Sequence, residues 1–214
     1  MMKYKGLYLR LFSVLLRKPL REAYGKEITR RALKNAPGVY REMLTQVDDI
    51  GADNPMASNI YMCFVLMAVW KAAGGAITPD GFRPVIRKMA KSPMMTKMLS
   101  KRDMNNPEEL QQSWKGLYEK KAWADQRPQY RDKTWDYNID EKKHRDGVYY
   151  YFTRCPLNNY ARKYGYMEIL PVCCELDYLI TEANHAVLHR DQTLASGGTM
   201  CDYWVVPDKI KDPR

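Results

Sequence analysis

Val148-Tyr-Tyr-Tyr-Phe-Thr-Arg154 is the stretch that decides the fold class. Four consecutive aromatic residues between a valine and a threonine favour a pleated strand over a helix. Downstream, Pro156 opens a short helix to about Tyr164, and Gly165 closes it. A second helix is expected over 167–183, carrying Cys173, Cys174 and Asp177. Residues 186–194 and 200–206 read as two more strands, joined through Ser196-Gly-Gly198 as an antiparallel pair. Upstream, residues 125–147 are polar and Tyr-rich, without helical periodicity, and read as a connection into a first strand near Trp135.

Everything before that connection has helical spacing. Tyr4, Leu7, Tyr8, Leu11, Phe12 and Leu15 fall at i, i+3, i+4, i+7, i+8 and i+11, which predicts an amphipathic helix over 1–20, docked by that stripe. Pro19 is expected to end or kink it. Helix then continues over 20–50 around a turn at Pro37-Gly38, with Ile28, Ala32, Val39, Met43, Leu44 and Val47 as core positions. A buried helix over 57–73 stops at Gly74-Gly75, and Thr78-Pro-Asp-Gly81 turns the chain into a helix over 82–100. Asn105-Asn-Pro107 starts another, to about 124. The expected class is α+β: a helical N-terminal portion (1–125) and a small antiparallel sheet with crossing helices over 126–206. A tail (207–214) follows, and the whole is read as one domain.

Charge is uneven along the 214 residues. Residues 1–41 hold 11 Lys/Arg against 2 Asp/Glu, whereas 141–214 hold 10 against 10. The basic balance therefore belongs to the N-terminal arm, as a solvated face or as a contact with a membrane surface or anionic partner. Arg10 splits the apolar run there and no small-residue cleavage site follows, which argues against a signal peptide. The longest apolar run, Tyr61 to Trp70, is ten residues, half of what a membrane crossing needs. Five cysteines and no export signal point to reduced thiols and a cytoplasmic protein. No phosphate loop, HExxH or GxSxG occurs, and no nucleic-acid reading module.

Three thiols, Cys155, Cys174 and Cys201, sit in the C-terminal third. Strand parity places Thr153 and Cys155 on one face with Tyr149 and Tyr151, and Asp202 on one face with Trp204. Cys174 and Asp177 are neighbours at i, i+3 on one helix. Three roles stay open for the thiols. One can be a nucleophile with its pKa lowered by Arg154 or Arg190. Cys155, Cys174 and Cys201 can hold zinc with a fourth group such as His185, His189 or Asp177, although no paired CxxC is present. All can also be small buried hydrophobes. Asp177 is a candidate general base, and Arg190 a bidentate clamp for a carboxylate. His144, in the charged turn Lys142-Lys-His-Arg145, reads as solvated.

These motifs together resemble the L-2-amino-thiazoline-4-carboxylic acid hydrolase family over roughly residues 148–206. The resemblance lies in Phe152-Thr-Arg-Cys155, Gly165 before a helix, Cys174 with Asp177, Arg190-x-Gln192-Thr-Leu194-x-x-Gly197, and Cys201-Asp202-Tyr203. Asp191 and Ser196 stand where that family more often shows Thr and Glu, and Cys173 is an additional thiol. The resemblance implies a hydrolase that opens a small cyclic amidine by attack at the carbon between nitrogen and sulfur. Cys155, Cys174, Asp177 and Cys201 would be its catalytic set, and Arg154, Arg190, Gln192 and Thr193 would hold the substrate. A helical body on a small sheet with a late Cys-Asp-aromatic strand also looks like the 4-vinyl-reductase-type ligand-binding fold, a module that binds a small molecule or metal without turnover.

Overall fold

The computed structural model describes residues 1–144 and 146–210, so Arg145 and the last four residues of the expected tail lie outside the described residues. The chain divides into two compact units, each drawn from two stretches: Met1–Ser92 with Asn159–Leu176, and Pro93–Asn158 with the chain from Asp177 onward.

The first unit is helical. Its longest element, α1 (Gly6–Gln46), runs through Pro19 and Pro37 and is interrupted at Gly25, whose φ of 76° lies in the left-handed region. The break therefore falls six residues beyond the expected proline. Glycine adopts that conformation without the steric cost that a side chain brings, whereas a proline removes one hydrogen bond and leaves a tolerable kink. The inward stripe also differs from the expected one. Leu9, Phe12, Leu16 and Leu20 are buried, while Leu7 and Tyr4 are exposed. Both stripes have helical spacing; the alternation of apolar and basic residues here lets either face satisfy the pattern, and packing against a second helix selects one.

That second helix is α2 (Ala57–Ala72), apolar throughout Tyr61–Trp70 and buried through Ile60, Phe64, Leu66, Met67 and Val69. It packs along α1. Helix α3 (Pro79–Ala90) begins at Pro79 rather than at 82, because the Thr78 side chain accepts from the Gly81 amide and caps it. Phe64 packs on Tyr160, whose hydroxyl donates to Gln46 Oε1 at 2.7 Å. Helix α7 (Leu170–Cys174) lies against α3, where Arg83 and Arg87 both pair with Glu175.

The second unit contains α4 (Pro93–Leu99), α5 (Pro107–Asp125), most of α8 (Leu176–Ala183) and the sheet. The helix expected over 82–100 is thus two, parted at Lys91-Ser92 by Pro93, and the one expected over 167–183 is parted at Glu175 into α7 and α8. Helix α6 (Pro156–Tyr164) follows the second strand as expected. Four antiparallel strands lie in the order β1-β2-β4-β3: β1 (Asn138–Ile139), β2 (Val148–Phe152), β3 (Ala186–His189) and β4 (Cys201–Pro207). The last strand is central, pairing Tyr150 with Tyr203 on one side and His189 with Trp204 on the other.

Two differences matter for the site. Strand β2 stops at Phe152, so Thr153 and Cys155 are not on a strand face. Strand β3 stops at His189, and the return to β4 is a loop with a 3-10 turn at Leu194–Ser196 rather than a tight hairpin at Ser196-Gly-Gly198. Gly147 explains how the preceding loop folds onto the sheet. Its φ is 105°, and a Cβ there would stand 2.1 Å from the Val205 carbonyl oxygen.

Candidate active site

The sequence-predicted residues of the second unit are held by a dense set of contacts on the sheet and in the loops that follow β2 and β3. On one face Tyr150 stacks on Tyr203 at 4.7 Å, with Phe152 edge-on at 5.5 Å. Asp177, near the start of α8, accepts from Arg190 Nη2 at 2.9 Å and from the Tyr203 hydroxyl at 3.0 Å. Arg190 lies 4.0 Å above the Tyr203 ring, and its Nε donates to the Asp202 carbonyl at 3.1 Å. Its side chain is only 2% exposed. The structure therefore spends this guanidinium on tying the end of β3 to α8 and β4.

Cys201 shares that buried face. Burial pushes its thiol upward, only partly offset by the Leu194 amide, which donates to Sγ at 3.3 Å, and by Arg190. It is a protonated thiol at neutral pH, a poor nucleophile. Tyr203 and Tyr150 are likewise pushed up by burial first and by Asp177 second.

The spacing Arg190-x-Gln192-Thr193 and Cys201-Asp202 is explained by the loop between β3 and β4. Asp202, 6% exposed, accepts the Asp191 amide on one oxygen and the Gln192 amide on the other, each at 2.9 Å. Gln192 Oε1 accepts the Thr199 amide at 2.9 Å, and Thr193 Oγ1 accepts the Ser196 amide at 3.1 Å. These side chains accept from backbone donors of the loop and so hold it closed. Phe152-Thr-Arg-Cys155 is held in the same way. Asp136 accepts the amides of Thr153 and Arg154, at 3.0 and 2.7 Å, and the Thr153 hydroxyl. Arg154 Nε turns back to the Thr134 carbonyl at 3.0 Å. Cys155 is half-buried in the loop just before Pro156, whereas Cys174 closes α7 in the first unit.

The other face of the sheet carries a cleft of about 280 Å³ that the sequence reading missed. Trp204 forms its wall. The His144 ring stacks on that indole at 3.8 Å and 11°, and His189 leans on it at 4.8 Å. Trp204 Nε1 donates to the Asp146 carbonyl at 2.9 Å, which pins the loop bearing His144 against β4. Lys143 Nζ donates to the Tyr149 hydroxyl at 2.8 Å, and the Asp191 and Asp202 side chains complete the lining.

The charge states follow from these neighbours. The hydrogen bond to Tyr149 holds the Lys143 pKa above its ordinary value, so it remains a cation. Burial, then the Lys143 charge, hold His144 below the ordinary histidine value, so its imidazole is neutral at neutral pH. The cleft thus offers a cation, a neutral imidazole, exposed Asp191 and aromatic walls. The signal in the sequence was parity: Asp202 and Trp204 share a face, and His189 pairs with Trp204 across the strands. His144 could not be placed, since only the loop closure at Gly147 brings it to the indole. Among the described residues, no group of three or more His, Cys, Asp or Glu side chains is disposed to hold a metal ion, so the zinc set read from Cys155, Cys174 and Cys201 finds no cluster.

The family model for L-2-amino-thiazoline-4-carboxylic acid hydrolase matches residues 57–205. The chain belongs to this hydrolase family. No curated protein and no solved structure matches it. The family match extends well upstream of the residues that suggested it, to the first residue of α2, and it encloses every residue lining the cleft. Helix α1 precedes it. Among the described residues, no helix is long and apolar enough to cross a membrane.

Proposed function

We propose that the chain hydrolyses a small cyclic amidine bearing a carboxylate, of the thiazoline-carboxylate kind that names its family, and that it does so in the Trp204 cleft. The observation that carries the reading is the cleft itself: a cation, two imidazoles and two carboxylates converge on an aromatic wall inside the family-matched residues. A volume of about 280 Å³ is small for a ligand site and suits a compact flat ring. Trp204 and Tyr149, with the imidazoles packed on them, form the aromatic side of the space that would receive that ring. Lys143 lines the cleft and would hold its carboxylate, while Arg190 is engaged with Asp177.

The chemistry asks for one base. His144 takes a proton from a water molecule, whose oxygen attacks the amidine carbon. The carbon–oxygen bond forms and the carbon–sulfur bond breaks, with its electron pair going to sulfur. The imidazolium returns its proton to sulfur, and the second proton of the water ends on the ring nitrogen. The product is a carbamoyl-cysteine with a free thiol, and no protein thiol is consumed. Asp202 keeps the loop of Asp191 in place through its two backbone hydrogen bonds, as a positioning residue.

Incubation of the purified protein with 2-amino-thiazoline-4-carboxylate tests this. The expected result is catalytic appearance of a small-molecule thiol and of a product heavier by one water. Saturable binding of that compound without any product would instead support the ligand-binding alternative. Serine at Cys155 or at Cys174 separates water attack from thiol attack: loss of turnover by orders of magnitude in either variant would move the nucleophile from water to sulfur.

A further inference from the structure

Helix α1 lies outside the family match, and its outward face has an organisation that the hydrolase reading does not use. Residues 1–21 hold six Lys/Arg and no Asp or Glu. With Leu9, Phe12, Leu16 and Leu20 turned inward, the opposite side carries Leu7 at 73% exposure and Val14 at 58%. At about 100° per residue, Arg10, Arg17, Lys18 and Arg21 share an arc of about 100° with those two apolar side chains. Met1 and Tyr4, at 72% and 45% exposed, continue the apolar character at the N-terminal end. The nearest acid in sequence, Glu22, is engaged by Lys88. Arg10, Arg17 and Arg21 have no carboxylate partner among the described residues.

Exposed leucines and valines scattered singly are ordinary. Here they are spaced seven apart on one line, with Arg10, Arg17 and Arg21 along one side and Lys18 on the other. That pattern serves two interactions at once, apolar insertion and attraction to anionic phosphates. A nucleic acid would use the cations and gain nothing from Leu7 and Val14; an acidic protein would need shape that a single convex helix does not provide. We propose that the outward face of α1 lies on the surface of an anionic phospholipid bilayer, with Leu7 and Val14 inserted at headgroup level and the arginines on lipid phosphates.

Cosedimentation of the full chain with vesicles tests this, using phosphatidylcholine alone and phosphatidylcholine mixed with phosphatidylglycerol. Binding to the mixed vesicles, little to the neutral ones, and weakening with salt are expected. Arg10→Glu with Arg17→Glu should lower the partition coefficient by roughly 25-fold or more, at about fivefold per lost charge. Leu7→Ser with Val14→Ser, which leaves the charge unchanged, should lower it roughly tenfold or more, with an unchanged thermal melt because both sites are solvent-facing. Absence of binding to the anionic vesicles at low salt would overturn the proposal. So would wild-type binding by the Leu7/Val14 variant, because attraction would then be to charge alone and not to a bilayer.

Discussion

Replacing Asp177 by alanine probes the contact on which the buried face of the sheet depends. The substitution leaves the Arg190 guanidinium, 2% exposed, without its carboxylate at 2.9 Å, and removes the acceptor of the Tyr203 hydroxyl at 3.0 Å. Breaking a buried ion pair by deleting one partner costs roughly 3–5 kcal/mol. The Asp177 side chain is 32% exposed, so solvent already weakens that pair. The orphaned tyrosine hydroxyl returns about 1 kcal/mol to the cost. We expect Asp177→Ala to lower stability by about 3 kcal/mol, and Asp177→Asn by less, since an amide oxygen still accepts from Tyr203. The double variant Asp177→Leu/Arg190→Met removes both charges and should be less destabilised than the sum of the single changes by at least about 1.5 kcal/mol. Equilibrium urea unfolding followed by tryptophan fluorescence reads the cost, and amide exchange along β4 localises it. If Asp177→Ala stays within about 0.5 kcal/mol of the wild type and shows no coupling to Arg190, the pair is not what holds this face together.

Further outcomes follow from the same geometry. Gly147→Ala should destabilise the fold by about 2 kcal/mol or more in urea unfolding, because φ is 105° and the added Cβ would meet the Val205 carbonyl at 2.1 Å. Trp204→Phe removes the Nε1 bond to the Asp146 carbonyl; a loss of about 1 kcal/mol is expected in the same assay. With a colorimetric thiol reagent on the native protein, half-buried Cys155 and Cys174 should react well before buried Cys63, Cys173 and Cys201, and mass mapping of the labelled peptides checks the order. The pH profile reports His144. Its pKa lies below the ordinary histidine value, so the neutral base persists through neutral pH. The value of kcat/KM should fall as pH drops through that lowered pKa, so its acid limb is centred below the ordinary histidine value.

Much of the fold was legible because it rests on local chemistry. The aromatic run ending at Phe152 favours a strand, Asn106 and Pro107 start α5 where the capping rules place them, and the apolar run Tyr61–Trp70 favours burial of α2. What sequence could not supply were choices made by packing. Two faces of α1 had acceptable periodicity, and contact with α2 selected the one through Leu9, Phe12, Leu16 and Leu20. Pro19 looked like a breaker, yet the break fell at Gly25, where backbone freedom is greater. The motif residues were recognised, but several serve backbone donors: Asp202 holds two amides of its loop, and Arg190 is consumed by Asp177. His144 reads from sequence as a solvated turn residue and Lys143 as part of the same charged turn, because their place on the sheet is set by a loop closure that Gly147 permits and Trp204 anchors.

Thiol release from 2-amino-thiazoline-4-carboxylate, measured side by side for the wild type, His144→Ala and Cys155→Ser, bears most directly on the cleft. We predict that His144→Ala slows the reaction by roughly 10²- to 10⁴-fold while Cys155→Ser keeps a rate near that of the wild type. Undiminished turnover without the imidazole, together with a dead serine variant, would contradict the assignment.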